Sequence, residues 1–229
     1  MASEGNVGRP GRPRSGDGRL SKKVILEAAL RIVDRDGIEA MTMRRLASAL
    51  GVNPMSIYHH LPNKAAVLSG LVEVVFSQLQ VAAPADGASW QDQLKDAARA
   101  YRRVLRTHPN LALQIVSDTA AVSDVLVIAG EPFYRALAQT GLPPRSIVES
   151  VDVVVDFIHG FMLGEASSTS ETFDLGPDLL KRVRDLPAGK APALTRVAEA
   201  LGESGFRYEF DNGFESGLNV LVLGIEAGI

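Results

Sequence analysis

Two short helix-forming stretches lie between Thr42 and Leu61 with only a tight turn between them, and this spacing constrains the fold more than any other feature. Thr42 is placed to cap a helix whose apolar face is Leu46, Ala47 and Leu50, and Gly51 stops it. Asn53-Pro54 then supplies an N-cap followed by the residue best suited to a first helical position. The second helix is expected from Pro54 to about His60, ending at Leu61-Pro62. Ala47 is small enough to let the pair approach closely, Gly51 tolerates the positive φ of such a turn, and Val52, Ile57 and Leu61 face inward. Flanking helices are predicted on both sides. Ile25, Ala28, Ala29, Ile32 and Val33 recur at helical spacing between a capping Ser21 and a terminating Gly37. After Asn63, Val67, Leu68, Leu71, Val72, Val75 and Phe76 share one side. Helix, turn, short helix within a helical cluster is the DNA-binding arrangement, although small helical hairpins share its outline.

Charge distribution points the same way. Residues 1–64 hold eleven Lys/Arg against six Asp/Glu, whereas the remainder holds thirteen against twenty-one. A basic end on an acidic body suits a chain that meets a polyanion at one end only; a basic tail that merely aids solubility is the plainer alternative. Residues 1–20, rich in Gly, Pro and Arg, read as a flexible arm. With no cysteine, disulfides, thiolate metal sites and cysteine nucleophiles are excluded. There is no phosphate loop, nucleophile elbow or metal-spaced His/Glu set, which argues against an enzyme. No secretory leader and no apolar run of membrane-spanning length are evident, so a cytoplasmic protein is expected, with no membrane partner.

Residues 37–72 resemble the N-terminal domain of the TetR family of regulators: the leading Gly, the Thr opening the second helix, the R-x-L-A-x2-L-G-V run, the Y-x-H pair closing the third and the N-K opening the fourth. More weakly, Tyr101-Arg102-Arg103-Val104-Leu105, Phe161-Met162-Leu163-Gly164 and Phe214-Glu215-Ser216-Gly217-Leu218 are similar to the effector domain of the branch containing the tetracycline repressors. The resemblance implies an all-helical homodimer that binds palindromic double-stranded operator DNA in two adjacent major grooves and lets go when a small molecule occupies the C-terminal domain. An architectural DNA protein indifferent to ligands, or an activator, is the alternative.

The exposed side of the third helix offers Pro54, Met55, Ser56, Tyr58, His59 and His60 to the groove. Met55, Ser56 and His59 are assigned to base edges, with Met55 suited to a thymine methyl. Thr42, Tyr58 and Lys64 are assigned to phosphates, Lys64 lying where helix N-terminal amides also favour an anion. Arg44 reaches either a guanine or the backbone, while Tyr58 and His60 have packing against the first helix as their alternative. The two Gly-Arg-Pro repeats at 8–10 and 11–13 resemble minor-groove hooks, against the alternative of a solubilising tail. Non-specific phosphate attraction by Arg9, Arg12, Arg14 and Arg19 is the broader expectation.

Beyond a connection at residues 83–87, helices are expected from Trp90 to about Thr107 and over 144–166, with the chain restarting at Pro109. The 144–166 helix is apolar nearly all round, with Val148, Val151, Val153, Val154, Phe157 and Phe161 among its residues, and needs partners on several sides. Residues 206–227 form a last helix in which Gly213 and Gly217, one turn apart, imply close helix approach. The resemblance makes these two long helices a dimerising four-helix bundle. An effector cavity is expected among Tyr101, Leu105, Ile115, Phe133, Leu137, Phe157 and Phe161, with Asp156 as a polar candidate. Asp152, Asp156 and His159 form a polar stripe that could orient a ligand, lie in the interface or face water. A magnesium–tetracycline site is not expected: Ser167-Ser168-Thr169-Ser170 replaces the glutamate beyond the F-x-L-G motif, and the sequence does not place the coordinating histidine securely on His108. No metal and no cofactor are therefore assigned. Residues 165–192 read as a surface segment around a short helix at 177–186. The whole is an all-α chain: a basic arm (1–20), a three-helix helix-turn-helix domain (21–65) and a helical effector-binding and dimerisation domain (66–229).

Overall fold

A computed structural model describes residues 20–117, 123–167, 172–174, 181–183, 185–187, 189–201 and 207–228. The arm and its Gly-Arg-Pro repeats therefore lie outside the described residues, as do Ser168–Ser170 and half of the expected 177–186 helix. The order is α1 (Lys22–Asp36), a 3-10 turn (Ile38–Ala40), α2 (Met43–Leu50), α3 (Pro54–Tyr58), α4 (Lys64–Phe76), α5 (Trp90–Thr107), α6 (Pro109–Ser117), α7 (Ser123–Leu137), α8 (Pro144–Ser167), β1 (Thr172–Asp174), α9 (Pro192–Leu201), β2 (Arg207–Glu209) and α10 (Phe210–Glu226). The architecture is all-α, with one short ladder added.

Local chemistry sets the first four helices. Ser21, Thr42, Asn53 and Asn63 each accept a hydrogen bond from a first-turn amide of the helix they precede, which satisfies donors that no helix can pair internally. Gly51 closes α2 in the left-handed region at φ 64, and its amide bonds back to Ala47 and Ser48. The third helix is shorter than the sequence suggests: Tyr58 is its last residue and His59 its C-cap. One continuous buried cluster runs from Ile25 on α1 through Leu46, Ile57 and Leu61 to Phe133, Ile158 and Phe214. α4 joins the two regions, burying Val67 and Leu71 near its start and Val75 and Phe76 at its end. Gly70 makes that possible, since a Cβ there would sit 2.7 Å from a Leu26 methyl.

Two expectations need correction, and a third, close helix approach at Gly217, is met. The last helix starts at Phe210, because Arg207–Glu209 leave it to pair antiparallel with Thr172–Asp174. The close approach at Gly217 occurs within the chain: the Phe157 ring lies where a Cβ would be, at 2.6 Å. The stripe on α8 splits, with Asp152 and Asp156 exposed and His159 buried.

Candidate nucleic-acid interface and effector domain

α3 has five residues and buries one of them, Ile57, which is fully enclosed; Leu61 just beyond is 4% exposed. Those two anchors fix which side of the helix faces out. Pro54, Met55, Tyr58, His59 and His60 are exposed and Ser56 half-buried. Met55, at 61%, is an apolar side chain standing free on a well-packed element, an arrangement with no value to the monomer's own stability. Thr42 and Arg44 are exposed beside it on α2. Arg45, by contrast, is committed to Asp36 on α1. Lys64 is half-buried, and its Nζ donates to the Ile38 carbonyl at 3.4 Å, so its ammonium is held at the start of α4. Thus the residues expected to meet DNA lie on α2, α3 and the start of α4, all exposed except the half-buried Ser56 and Lys64.

The effector-domain candidates behave differently. Tyr101, Leu105, Ile115, Phe133 and Leu137 are packed core, and none of them lines a cavity described here. Phe157 and Phe161 are half-buried, and Asp156 is exposed and stands apart from the packed group. Tyr101 is the hub: its ring contacts Phe76, Phe133 and His159 at centroid distances of 5.1, 5.8 and 5.7 Å. Its hydroxyl lies 3.0 Å from His159 Nε2. Burial pushes the Tyr101 phenol well above its ordinary range and lowers the His159 imidazole, the latter opposed in part by the Asp156 charge. Both groups are therefore held neutral, and the His159 tautomer decides which of the two donates across this contact.

Sequence reasoning missed a ladder of arginines on α5. Arg99, Arg102, Arg103 and Arg106, at i, i+3, i+4 and i+7, line a cavity of about 350 Å³ together with Thr107 and Phe214. Arg102 is buried, bonds Glu165 of α8 through Nε and Nη2, and reaches Asp211 of α10 at 2.8 Å. Arg106 pairs with the same two carboxylates. Arg99 bonds Glu215 through two nitrogens, which strengthens its charge and holds the Glu215 carboxyl below the usual range. The spacing was visible in the sequence, but a helical charge stripe usually faces water.

The two regions are also pinned across their junction. His108 Nδ1 bonds Asp34 at 2.9 Å, and Asn110 Nδ2 donates to the carbonyls of Val33 and Asp34. These contacts close the C-terminus of α1 with groups from the start of α6.

A short helix after a tight turn, pinned by one buried isoleucine and exposing Met55, Tyr58, His59 and His60, on an otherwise helical body is the build of a DNA-binding transcriptional regulator rather than an enzyme. The chain belongs to the TetR family. Residues 25–71 match "Bacterial regulatory proteins, tetR family" and residues 83–229 match "Tetracyclin repressor-like, C-terminal domain". It is similar to the class D tetracycline repressor protein of Escherichia coli, 29% identical over 213 residues, covering 89% of this chain and 93% of that one. It also resembles the transcriptional repressor DrrR1 of Streptomyces coeruleorubidus, 26% identical over 216 residues covering 88% and 76% of the two chains. Among solved structures, apo ActR of Streptomyces coelicolor superposes with a TM-score of 0.77 at 27% identity over 93% of this chain and 98% of that one. ActR has also been solved with (S)-DNPA and with actinorhodin. Among the described residues no helix is long and apolar enough to cross a membrane.

Proposed function

We propose that the protein is a ligand-responsive repressor: a homodimer that grips a palindromic operator through paired α3 helices and releases it when a small molecule binds the C-terminal domain. The observation that carries this is the pinned α3 with its exposed outer side. Met55, Ser56 and His59 read base edges, Thr42, Tyr58 and Lys64 hold phosphates, Arg44 reaches either, and Pro54 and His60 flank the contact. One such helix makes few contacts, and two held about one helical turn apart multiply them. Support for the dimer comes from apolar side chains left exposed on two long helices: Val148, Val153 and Leu163 on α8, Val220 and Leu223 on α10. The effector region centres on the aromatic group of Tyr101, Phe133, Phe157 and Phe161, with Leu105, Ile115 and Leu137 behind it. The complexes of ActR with (S)-DNPA and actinorhodin make those two compounds the first to try.

Genome-wide footprinting of the purified protein tests this. Protected palindromes overlapping promoters, in a particle of twice the chain mass, are expected. Protection without dyad symmetry, or a stably monomeric protein, refutes it.

A further inference from the structure

The arginine cavity between α5, α8 and α10 has features that core packing does not call for. Four guanidinium groups from one helix side converge on about 350 Å³ of space, within the size range of small-molecule sites. Three of them are satisfied by carboxylates: Arg99 by Glu215 and Asp96, Arg102 and Arg106 by Glu165 and Asp211. Arg103 is exposed, and its guanidinium has no carboxylate partner among the described residues.

The two shared carboxylates are unequal. Glu165 is 17% exposed and buttresses Arg102 from behind, whereas Asp211 is 72% exposed and bridges Arg102 and Arg106 from the solvent side. One carboxylate oxygen, Asp211 Oδ1, meets both guanidinium groups at 2.8 and 2.9 Å, a place that the oxygen of a bound acid could take instead. The apolar side is built as well: the Arg102 guanidinium lies 4.6 Å from the Phe214 ring centroid and 5.2 Å from that of Phe161. Phe157, Phe161 and Phe214 are in mutual ring contact beneath it at 5.4–5.8 Å. A rim of guanidinium groups, balanced by carboxylates except at Arg103, beside the Phe214 ring that lines the cavity matches one chemical class.

We infer that this cavity receives the acidic group of an aromatic carboxylic acid, which displaces Asp211 from Arg102 and Arg106 and takes Arg103 as a further partner. This rests on the regulator reading and names the class of its effector. Since Asp211 stands in the first turn of α10 while Glu165 on α8 keeps its arginines, the exchange loosens the tie of α5 to α10 and leaves its tie to α8.

The test is calorimetric titration of the full chain with 2-naphthoate, with its neutral amide as control. The expected result is one naphthoate per chain and amide binding weaker by about tenfold or more, the scale of a lost charge-assisted contact. Arg103→Gln should weaken naphthoate by about tenfold, and Asp211→Asn, which removes the internal competitor, should tighten it several-fold. Equal binding of acid and amide, no binding of naphthoate, indifference to Arg103→Gln, or weakening by Asp211→Asn each overturns the assignment. Operator binding by the wild-type chain without probe, measured in parallel, reports on the regulator reading separately.

Discussion

Ile57 and Met55 are two residues apart on α3, and the fold gives them opposite duties that a paired substitution separates. Ile57 is fully enclosed and is the one buried residue of its helix. Ile57→Val removes one methylene from a packed site, so the folded state should lose about 1 kcal/mol. Met55 is 61% exposed, and Met55→Ala should change stability by less than about 0.5 kcal/mol. On DNA the order reverses. Losing the Met55 contact should change preference at one base pair by about 1 kcal/mol, roughly fivefold, whereas Ile57→Val keeps every outward group and should leave the preference matrix intact. Urea denaturation at one fixed protein concentration gives the first quantity, since unfolding of a dimer depends on concentration. Binding to a library of single-base operator variants gives the second. The reasoning fails if Met55→Ala lowers stability as far as Ile57→Val does while leaving base preference unchanged, because the outer side of α3 would then be structural.

Further outcomes follow from other contacts. Lys64→Ala should weaken binding to all DNA sequences alike and reduce the salt slope by about one; a sequence-dependent loss in the same titration would contradict its phosphate role. His159 is buried with its imidazole pKa lowered from the ordinary 6.5, so the unfolded chain takes up its proton first and stability should fall as pH drops below about 6.5. His159→Gln should flatten that fall in denaturation curves taken between roughly pH 6.5 and 5. Gly217→Ala places a Cβ 2.6 Å from Phe157, whose ring is stacked on Phe214, so overpacking of about 1–3 kcal/mol should outweigh a helix gain of about 1 and lower the melting temperature. Asn110→Ala removes two bonds from the end of α1 and should speed amide exchange there, with about 1 kcal/mol lost overall.

What was legible in the sequence was what chemistry decides within a few residues. Ser21, Thr42, Asn53 and Asn63 cap where their positions require, because capping depends only on a side-chain oxygen and amides two or three residues on. With Ile57 and Leu61 facing inward, the outward side of α3 followed. Partners distant in the chain were not legible. His159 was grouped with Asp152 and Asp156 by spacing, yet its bond is to Tyr101, 58 residues away. Arg99 and Arg102 find carboxylates 116 and 63 residues on, which no local pattern encodes. The β1–β2 ladder escaped for the same reason: Thr172 pairs with Glu209, and three-residue strands carry too little alternation to register.

The junction between the regions bears on how an effector could act. A ligand shifts operator affinity only by the difference in its binding to two arrangements of the dimer, so its site must touch something that also positions α3. Two connections meet that requirement. α4 begins at Lys64 beside the DNA-facing groups and ends at Phe76, whose ring is 5.1 Å from Tyr101; any displacement of Tyr101 bears directly on its end. α6 holds the end of α1 through Asn110 and His108. α1 and α4 are in turn locked together where Leu26 fills the space over Gly70, and close-packed interiors transmit displacement rather than absorb it. Both connections therefore deliver motion to the same pair of helices, and these carry α2 and α3 as one body. For the proposed repressor, the lever on the operator would then be the angle of the N-terminal helices as a group.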